Sequence, residues 1–189
     1  MTPTDPAIDA LIDFYRETSA EFSSAQRLSG LACPSDCGAC CKTSDVSATV
    51  FEMLPMALAL HQNGRAEEIF DQIQTTPEGI CPMFQGHATD PKKGRCGAYE
   101  TRPLVCRIFA VARRTNKYRD SDLVLCKELK ELYPDLAQSL LGHAHELPLV
   151  NLAYSKMTSL HPSAMERSLH IRQALGFALE KVLYHFYQK

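Results

Sequence analysis

The sequence lacks any apolar stretch approaching the roughly 20 residues that a helix needs to cross a bilayer. It also has no internal repeat, no low-complexity tract, no glycine-rich phosphate loop, no His-Glu-x-x-His and no nucleophile elbow. These absences argue against a membrane-spanning protein, a repeat array and several common enzyme classes. With 189 residues and 45% apolar content, the chain is expected to fold as one soluble domain, residues 1–189.

The first 31 residues also lack the basic start and unbroken apolar run of a secretory signal. Acidic side chains recur through them instead, at Asp5, Asp9, Asp13, Glu17 and Glu21. A cytoplasmic location is therefore expected, where cellular thiol pools keep cysteines reduced. Clustered cysteines in that compartment are more often metal ligands than disulfides, although a disulfide framework and inert buried thiols are the alternatives.

Cysteine is abundant, and four of the eight cysteines fall within nine residues. The predicted metal ligands are Cys33, Cys37, Cys40, Cys41, Cys81, Cys96, Cys106 and Cys126. The short spacings let one loop wrap around an ion, and the later cysteines close the coordination shell. In an extended segment, the adjacent Cys40 and Cys41 point in different directions, which favours more than one metal atom. The alternative is that one of the two packs beside its neighbour's sulfur.

Positive charge is concentrated in residues 92–119. This segment has nine basic residues and one acid, a net charge of +8, whereas the whole chain carries −2 and the remainder therefore −10. One interpretation is a surface for nucleic acid or another anionic partner. The other is that these charges offset the thiolates of a metal site, because Cys96 and Cys106 lie inside the segment. On this second interpretation Arg95, Arg102 and Arg107 surround the site.

Helical patterns dominate, so the fold is predicted to be mainly α. An N-terminal helix is predicted over residues 6–27, a second from the Thr49 capping box to Asn63-Gly64, and a third over residues 65–74. Pro55 would shift or kink the start of the second helix. C-terminal helices are predicted over residues 121–188, with starts at Ser121-Asp122, at Pro134 and at a capping box from Ser163 to Glu166.

The cysteine-cluster core, residues 33–126, is predicted to consist largely of long irregular loops. Residues 75–102 are rich in proline, glycine and short polar residues, and a metal site would fix such a loop. Residues 104–112 fit either a buried strand or a core segment. Cys126 is expected in the first turns of a helix, where the dipole favours a thiolate. Tyr99 and Phe109 are interpreted as core or shielding residues, and His87 as the best non-cysteine ligand.

The ordered motifs resemble the bacterial CxxCxxCC (YkgJ-like) cysteine-cluster family. The resemblance spans residues 33–126 and is carried by Cys33 to Cys41, Cys81-Pro82, Gly94-Arg95-Cys96-Gly97-Ala98-Tyr99, Arg102-Pro103-Leu104-Val105-Cys106-Arg107 and Cys126. The first gap holds three residues rather than two. The resemblance implies a zinc, iron or iron–sulfur site on these cysteines.

Three function classes stay open at this point. The first is an iron–sulfur protein with a redox or cluster-dependent role and a redox protein partner. The second is a zinc-stabilised module that binds an anionic partner, such as nucleic acid, through residues 92–119. The third is a chelator or donor of metal ions. Neither an enzymatic reaction nor a membrane partner is predicted.

Overall fold

The structure is a computed structural model, and it describes residues 5–43, 46–76, 79–90, 93–108 and 111–187. The helices within these ranges are α1 Pro6–Leu28, α2 Ala39–Lys42, α3 Val50–Gln62, α4 Ala66–Thr75, α5 Leu104–Arg107, α6 Lys127–Leu132, α7 Pro134–Gly142, α8 Val150–Thr158 and α9 Ile171–Tyr187. The strands are β1 Ser47–Ala48, β2 Phe84–Gly86, β3 Gly94–Cys96, β4 Val111–Thr115, β5 Ser121–Leu125 and β6 Leu169–His170. The prediction of a mainly α fold is confirmed.

Helix α1 begins as its sequence predicts. The Asp5 side chain accepts a hydrogen bond from the Ala7 backbone N–H at 2.9 Å, and Pro6 occupies the first turn, where its missing N–H costs nothing. The buried face includes Ile8, Leu11 and Phe22. The helix therefore delivers the chain to the cysteine loop at residue 33 after packing its apolar stripe on the core.

Helix α3 is the central element and is almost wholly buried. Its capping box is present: Glu52 N–H donates to Thr49 Oγ1 at 3.2 Å, and Thr49 N–H donates to Glu52 Oε2 at 2.8 Å. Pro55 lies inside the helix without shifting its start. Helix α3 packs against α1, α4 and α9, and these four helices are called the helical scaffold below.

The predicted start of the last helix at Ser163 is wrong. Residues Pro162–Met165 form a single 3₁₀ turn, and Met165 is exposed rather than part of the apolar stripe. Strand β6 then pairs antiparallel with β1, and α9 begins at Ile171, whose N–H donates to Val46 O at 2.9 Å. The start of α9 is therefore set by the pairing of β6 with β1, a strand distant in sequence. A local cap pattern contains no information about such a pairing.

The predicted helix start at Ser121-Asp122 is also wrong, because residues 121–125 form β5 and pair with β4. The turn between the strands is set by Asn116, whose side-chain oxygen accepts from the Tyr118 and Asp120 N–H groups. Arg119 takes a positive φ of 68° in this turn. The prediction failed because the turn-forming role of Asn116 was not recognised, and the segment forms a hairpin strand instead of a helix. The C-terminal helices begin at Lys127.

The loop predicted over residues 75–102 contains a hairpin, β2 with β3, and the prediction of wholly irregular structure is corrected accordingly. The segment predicted as a strand or core element begins as the short helix α5 and ends in β4. Phe109 and Ala110 lie outside the described residues, so the predicted shielding role of Phe109 stays a prediction. The predicted helices at residues 65–74 and from Pro134 to Gly142 are confirmed to within about a residue.

Apolar side chains of the helical scaffold form the main core, and Met83 and Leu104 from the cysteine-rich region join it. A second, smaller cluster lies under the β4–β5 hairpin and contains Leu31, Val111, Leu125, Leu129 and Leu147. Across the described ranges, every helix is too short or too polar to traverse a lipid bilayer.

Candidate metal centre

Two glycines dock the first cysteine loop onto strand β3. Gly38 has a φ of +56°, and a Cβ built there would lie 2.6 Å from Gly94 O. A Cβ on Gly94 would in turn lie 2.3 Å from the Phe84 ring. Gly94 N–H donates to Asp36 O at 2.7 Å. Only glycine permits this close backbone approach, which brings α2 beside β3.

Helix α2 is a single turn that carries both Cys40 and Cys41. The expectation that this pair lies in an extended segment is wrong, because helical backbone replaces the alternating geometry of a strand. Both side chains reach one cavity. The interpretation that Cys40 and Cys41 must point to different sites therefore loses its geometric basis.

Three further cysteines reach the same cavity from three other elements. Cys81 lies in the turn before β2, where Phe84 N–H donates to Cys81 O at 3.0 Å. Cys96 ends β3 opposite Phe84, and Cys106 lies in α5. The cavity is about 20 Å³ in volume and is lined by Cys40, Cys41, Thr43, Val46, Met56, Cys81, Cys96, Arg102, Pro103, Cys106 and Ile171. The five cysteines at this cavity are called the inner cysteines.

Hydrogen bonding joins three of the inner thiols. The single S–H of Cys41 can donate to the sulfur of Cys40 or to that of Cys96, which stabilises charge on the acceptor. This hydrogen bond, aided by Arg102, lowers the pKa of Cys40 to about 6 and that of Cys96 to about 7 against the opposing effect of burial. The pKa of Cys41 is raised by the same hydrogen bonds. Ionisation of Cys40 or Cys96 is thus favoured near neutral pH, and the thiolate is the form in which cysteine binds metal.

Burial dominates at the other two inner cysteines. It raises the pKa of Cys81 to about 11 and raises the pKa of Cys106 well above its usual range. Neighbouring thiolates add to the effect at Cys106, because like charges oppose each other's ionisation. A bound cation would reverse this balance, since coordination deprotonates a thiol directly.

The remaining three cysteines, called the outer cysteines, do not line the cavity. Cys33 is exposed and its sulfur accepts from Gln26 Nε2 at 3.4 Å. Cys126 is the N-cap of α6 rather than a residue of its first turns, and its sulfur accepts from Leu129 N–H at 3.4 Å. Burial raises the pKa of Cys126, and charge on Cys33, Cys37 and the inner Cys40 raises it further.

The three predicted site arginines have different surroundings. Arg102 lines the cavity, and its guanidinium stacks 3.6 Å from the centre of the Tyr99 ring. Tyr99 itself is exposed, so it is not a core residue, and the alternative that it shields the site stays a prediction. Arg95 is exposed and donates to Gln85 Oε1 at 3.2 Å. Thus Arg102 borders the inner cysteines, whereas Arg95 does not.

Arg107 follows Cys106 and is buried against α1. Its guanidinium donates to Arg102 O at 2.8 Å, to Tyr15 O at 3.3 Å, to Ser19 Oγ and to Glu100 O, and it lies 4.4 Å from the Tyr15 ring centre. Its hydrogen-bond partners are neutral, and burial lowers the pKa of Arg107 to about 10. The residue therefore ties the Cys106 turn to the helical scaffold.

The described arginines and lysines of the basic segment, residues 92–119, have different surroundings. Arg107 is buried, Arg102 borders the cavity, Arg113 donates to Leu147 O at 2.9 Å and Arg114 pairs with Asp122. Lys117 and Arg119 are exposed at the β4–β5 turn. Lys92 lies outside the described residues.

The histidines do not join the inner cysteines. His87 is exposed, and its Nδ1 accepts from the Thr89 N–H. In the described part of the chain, no three His, Cys, Asp or Glu side chains are already arranged to hold a metal ion. The inner cysteines share a cavity without adopting a finished coordination geometry.

Sequence reasoning missed Arg172, which lies in α9 and is buried. The sequence did contain a signal for a buried arginine. Arg172 occupies a position at which the helical pattern of α9 predicts an apolar side chain facing the core. Its neighbours Ile171 and Ala174 are both buried.

The comparisons with known proteins agree with this cysteine arrangement. Residues 32–127, just over half of the chain, match the CxxCxxCC family, described as "Putative zinc- or iron-chelating domain". The chain belongs to this family. No curated protein and no solved structure shows significant similarity to it. Family membership supports a metal-chelating role without specifying the metal.

Proposed function

We propose that this chain is a metal-binding protein whose centre is formed by the inner cysteines and holds an iron–sulfur cluster. The observation that carries the proposal is the convergence of five thiols from α2, β3, α5 and the turn before β2 on one cavity. These elements are separated by up to 66 residues, from Cys40 to Cys106. Ionised thiols brought this close together repel one another unless a common cation binds them.

The number of thiols supports a cluster over a single ion. One tetrahedral zinc uses four ligands, whereas the five inner cysteines exceed that number and allow ligands to spread over several irons. The cavity walls formed by Val46, Met56 and Ile171 limit solvent access, a property that tunes the potential of a buried cluster. When bound, the cluster would supply electron transfer or structural stabilisation. We propose a redox or cluster-dependent role in the cytoplasm, in partnership with a redox protein.

A single zinc ion is the second candidate, and the cavity volume favours it. About 20 Å³ accommodates one small ion or water, which is far less than a multi-atom cluster occupies. In this case the centre is structural, and the exposed Lys117 and Arg119 provide a contact for an anionic partner. A chelator or donor of metal ions differs from both in exchanging its metal readily.

Anaerobic purification with metal and sulfide analysis separates these candidates. Iron with sulfide and a broad absorption band near about 400 nm supports the cluster. Colourless protein with one equivalent of zinc contradicts the cluster and supports the structural module. Rapid loss of metal to a weak chelator identifies a donor. Protein that binds neither metal under reducing conditions contradicts the proposed function altogether.

A further inference from the structure

Arg172 is a buried cation with hydrogen bonds only to backbone carbonyls. It is 4% exposed. Its Nη1 donates to Ile80 O at 2.7 Å, and its Nη2 donates to Gln72 O at 3.2 Å and to Thr76 O. Among the described residues no carboxylate forms an ion pair with it. The two terminal nitrogens of the guanidinium therefore hold backbone carbonyls, and among the described residues its buried Nε has no hydrogen-bond partner.

The carbonyls that Arg172 binds bracket the approach to Cys81. Gln72 and Thr76 lie at the end of α4, and Ile80 immediately precedes Cys81. A guanidinium suits the carbonyls at a helix C-terminus, which carry partial negative charge. Because one side chain holds both ends of residues 76–80, it limits where the Cys81 thiol can lie.

The start of α9 also contacts the chain that follows the cysteine-bearing helix α2. Strand β6 pairs with β1, which follows α2, and Ile171 N–H donates to Val46 O. Ile171 itself lines the cavity. Residues 169–172 thus contact the chain shortly after Cys41 and the chain immediately before Cys81. They do so from outside the matched family region.

The charge of Arg172 is placed where a helix alone would disfavour it. It is the second residue of α9, where the positive end of the helix dipole opposes a cation, and burial adds a desolvation cost. The Ile80 carbonyl that accepts from Arg172 belongs to the residue before Cys81, so the guanidinium lies beside the stretch of chain that carries this thiol. Thiolate ligands around a metal leave net negative charge at the centre, which a buried cation offsets.

We infer that Arg172 is a positioning residue of the metal centre, which fixes the Cys81 segment and offsets thiolate charge from outside the matched family region, residues 32–127. This inference rests on the proposed function in so far as Cys81 is a ligand. Arg107 has the equivalent place beside Cys106, so two buried arginines anchor two inner cysteines to the helical scaffold, Arg107 by its contact with α1 and Arg172 from its place in α9.

The test compares Arg172→Gln and Arg172→Lys with Arg167→Gln, an exposed arginine five residues earlier. In anaerobically purified full-length protein, release of the bound metal to a chelator is followed in time. We expect release from Arg172→Gln to be about 10- to 100-fold faster than from the wild type, as for other residues that orient ligands. Arg172→Lys should recover part of this loss because it keeps the charge, and Arg167→Gln should match the wild type.

A second readout uses metal-free protein. The rate at which iodoacetamide alkylates Cys81, relative to Cys126, is measured for each variant by mass spectrometry. Arg172→Gln should raise this ratio several-fold, and a global loss of stability would raise both rates together. Release within twofold of the wild type, or an unchanged alkylation ratio, overturns the inference. If Arg172→Gln does not fold, Arg172→Lys decides by the same two readouts. Wild-type protein without metal contradicts the proposed function, while the alkylation ratio still tests the positioning role.

Discussion

The helical scaffold and the cysteine-bearing segments, residues 33–42 and 79–107, hold their shapes by different means. Helix α3 buries eight of its residues, and α9 buries another eight. Residues 33–42 bury none, and the hairpin and turns of residues 79–107 bury few side chains beyond Met83 and Leu104. Apolar burial at roughly 25 cal/mol per Å² can stabilise the first region alone. The second region depends on glycine contacts, arginine hydrogen bonds and, on our account, a metal.

Removal of the metal is the largest expected perturbation of this contrast. Because coordination supplies much of what holds the cysteine-bearing segments, we expect their backbone amides to lose protection on chelation while α3 and α9 keep theirs. Hydrogen exchange measured by mass spectrometry on loaded and chelated protein gives the result directly. Loss of protection throughout the chain would show that the metal organises the whole fold. No change would mean that the cysteines are not structural ligands.

Shortening a buried side chain inside the helical scaffold should lower the stability of the fold while leaving metal binding intact. Leu179 in α9 is fully buried, so Leu179→Ala should lower the free energy of unfolding by about 2 to 5 kcal/mol. Metal content per folded chain should stay near that of the wild type. The measurement is urea denaturation with metal analysis, and Leu152→Ala, at a half-exposed leucine, is the control with an expected change below about 0.5 kcal/mol. Selective metal loss without destabilisation would break the contrast.

Arg107→Ala tests the junction between the two regions. It removes the guanidinium contacts to Tyr15, Ser19, Glu100 and Arg102, and we expect a loss of about 2 kcal/mol together with weaker metal retention. Arg95→Ala is the matched control, because Arg95 also adjoins a cysteine but is exposed. Unchanged metal retention in Arg107→Ala, with loss of salt-sensitive binding to nucleic acid, would instead favour an anion-binding role for residues 92–119.

Thr49→Ala should give the smallest effect. Loss of the capping box at the start of α3 is expected to cost about 1 kcal/mol, with no change in metal content. Chemical denaturation measures the change in the free energy of unfolding, and metal analysis measures the bound metal per chain. Thr158→Ala, whose exposed hydroxyl only donates to Ser155 O, should be close to neutral. A large metal loss in Thr49→Ala would show that the scaffold and the cysteine-bearing segments are not separable.

The same contrast explains what the sequence could reveal. Helices α1, α3, α4 and α7 were predicted because their caps and apolar periodicity are local signals. The β4–β5 hairpin was missed because it depends on one asparagine turn, and the start of α9 because it depends on pairing between β6 and β1. The asparagine turn is a local signal that competes with the helix-cap pattern at Ser121-Asp122, whereas the β6–β1 pairing joins segments that a local pattern does not connect.

Prediction of the site shows the same division. Cysteine spacing identified the candidate ligands, but the sequence offered no way to separate inner from outer cysteines, since the separation follows from how Gly38 meets Gly94 and how α5 is held by Arg107. Arg172 was missed because it acts on carbonyls about 90 to 100 positions earlier in the chain. The sequence also predicts Cys33, Cys37 and Cys126 as ligands, which the structure does not test, whereas our account assigns the metal centre to the inner cysteines.

The central claim, that the inner cysteines form the metal centre, is tested most directly by the metal content of two single variants. Cys96→Ser removes a thiol at the cavity, and Cys126→Ser removes an outer thiol that caps α6. Both proteins are purified anaerobically and their bound metal per chain is measured beside the wild type. The account predicts that Cys96→Ser loses most of its metal while Cys126→Ser retains it. Equal retention by both variants, or loss confined to Cys126→Ser, would contradict the account.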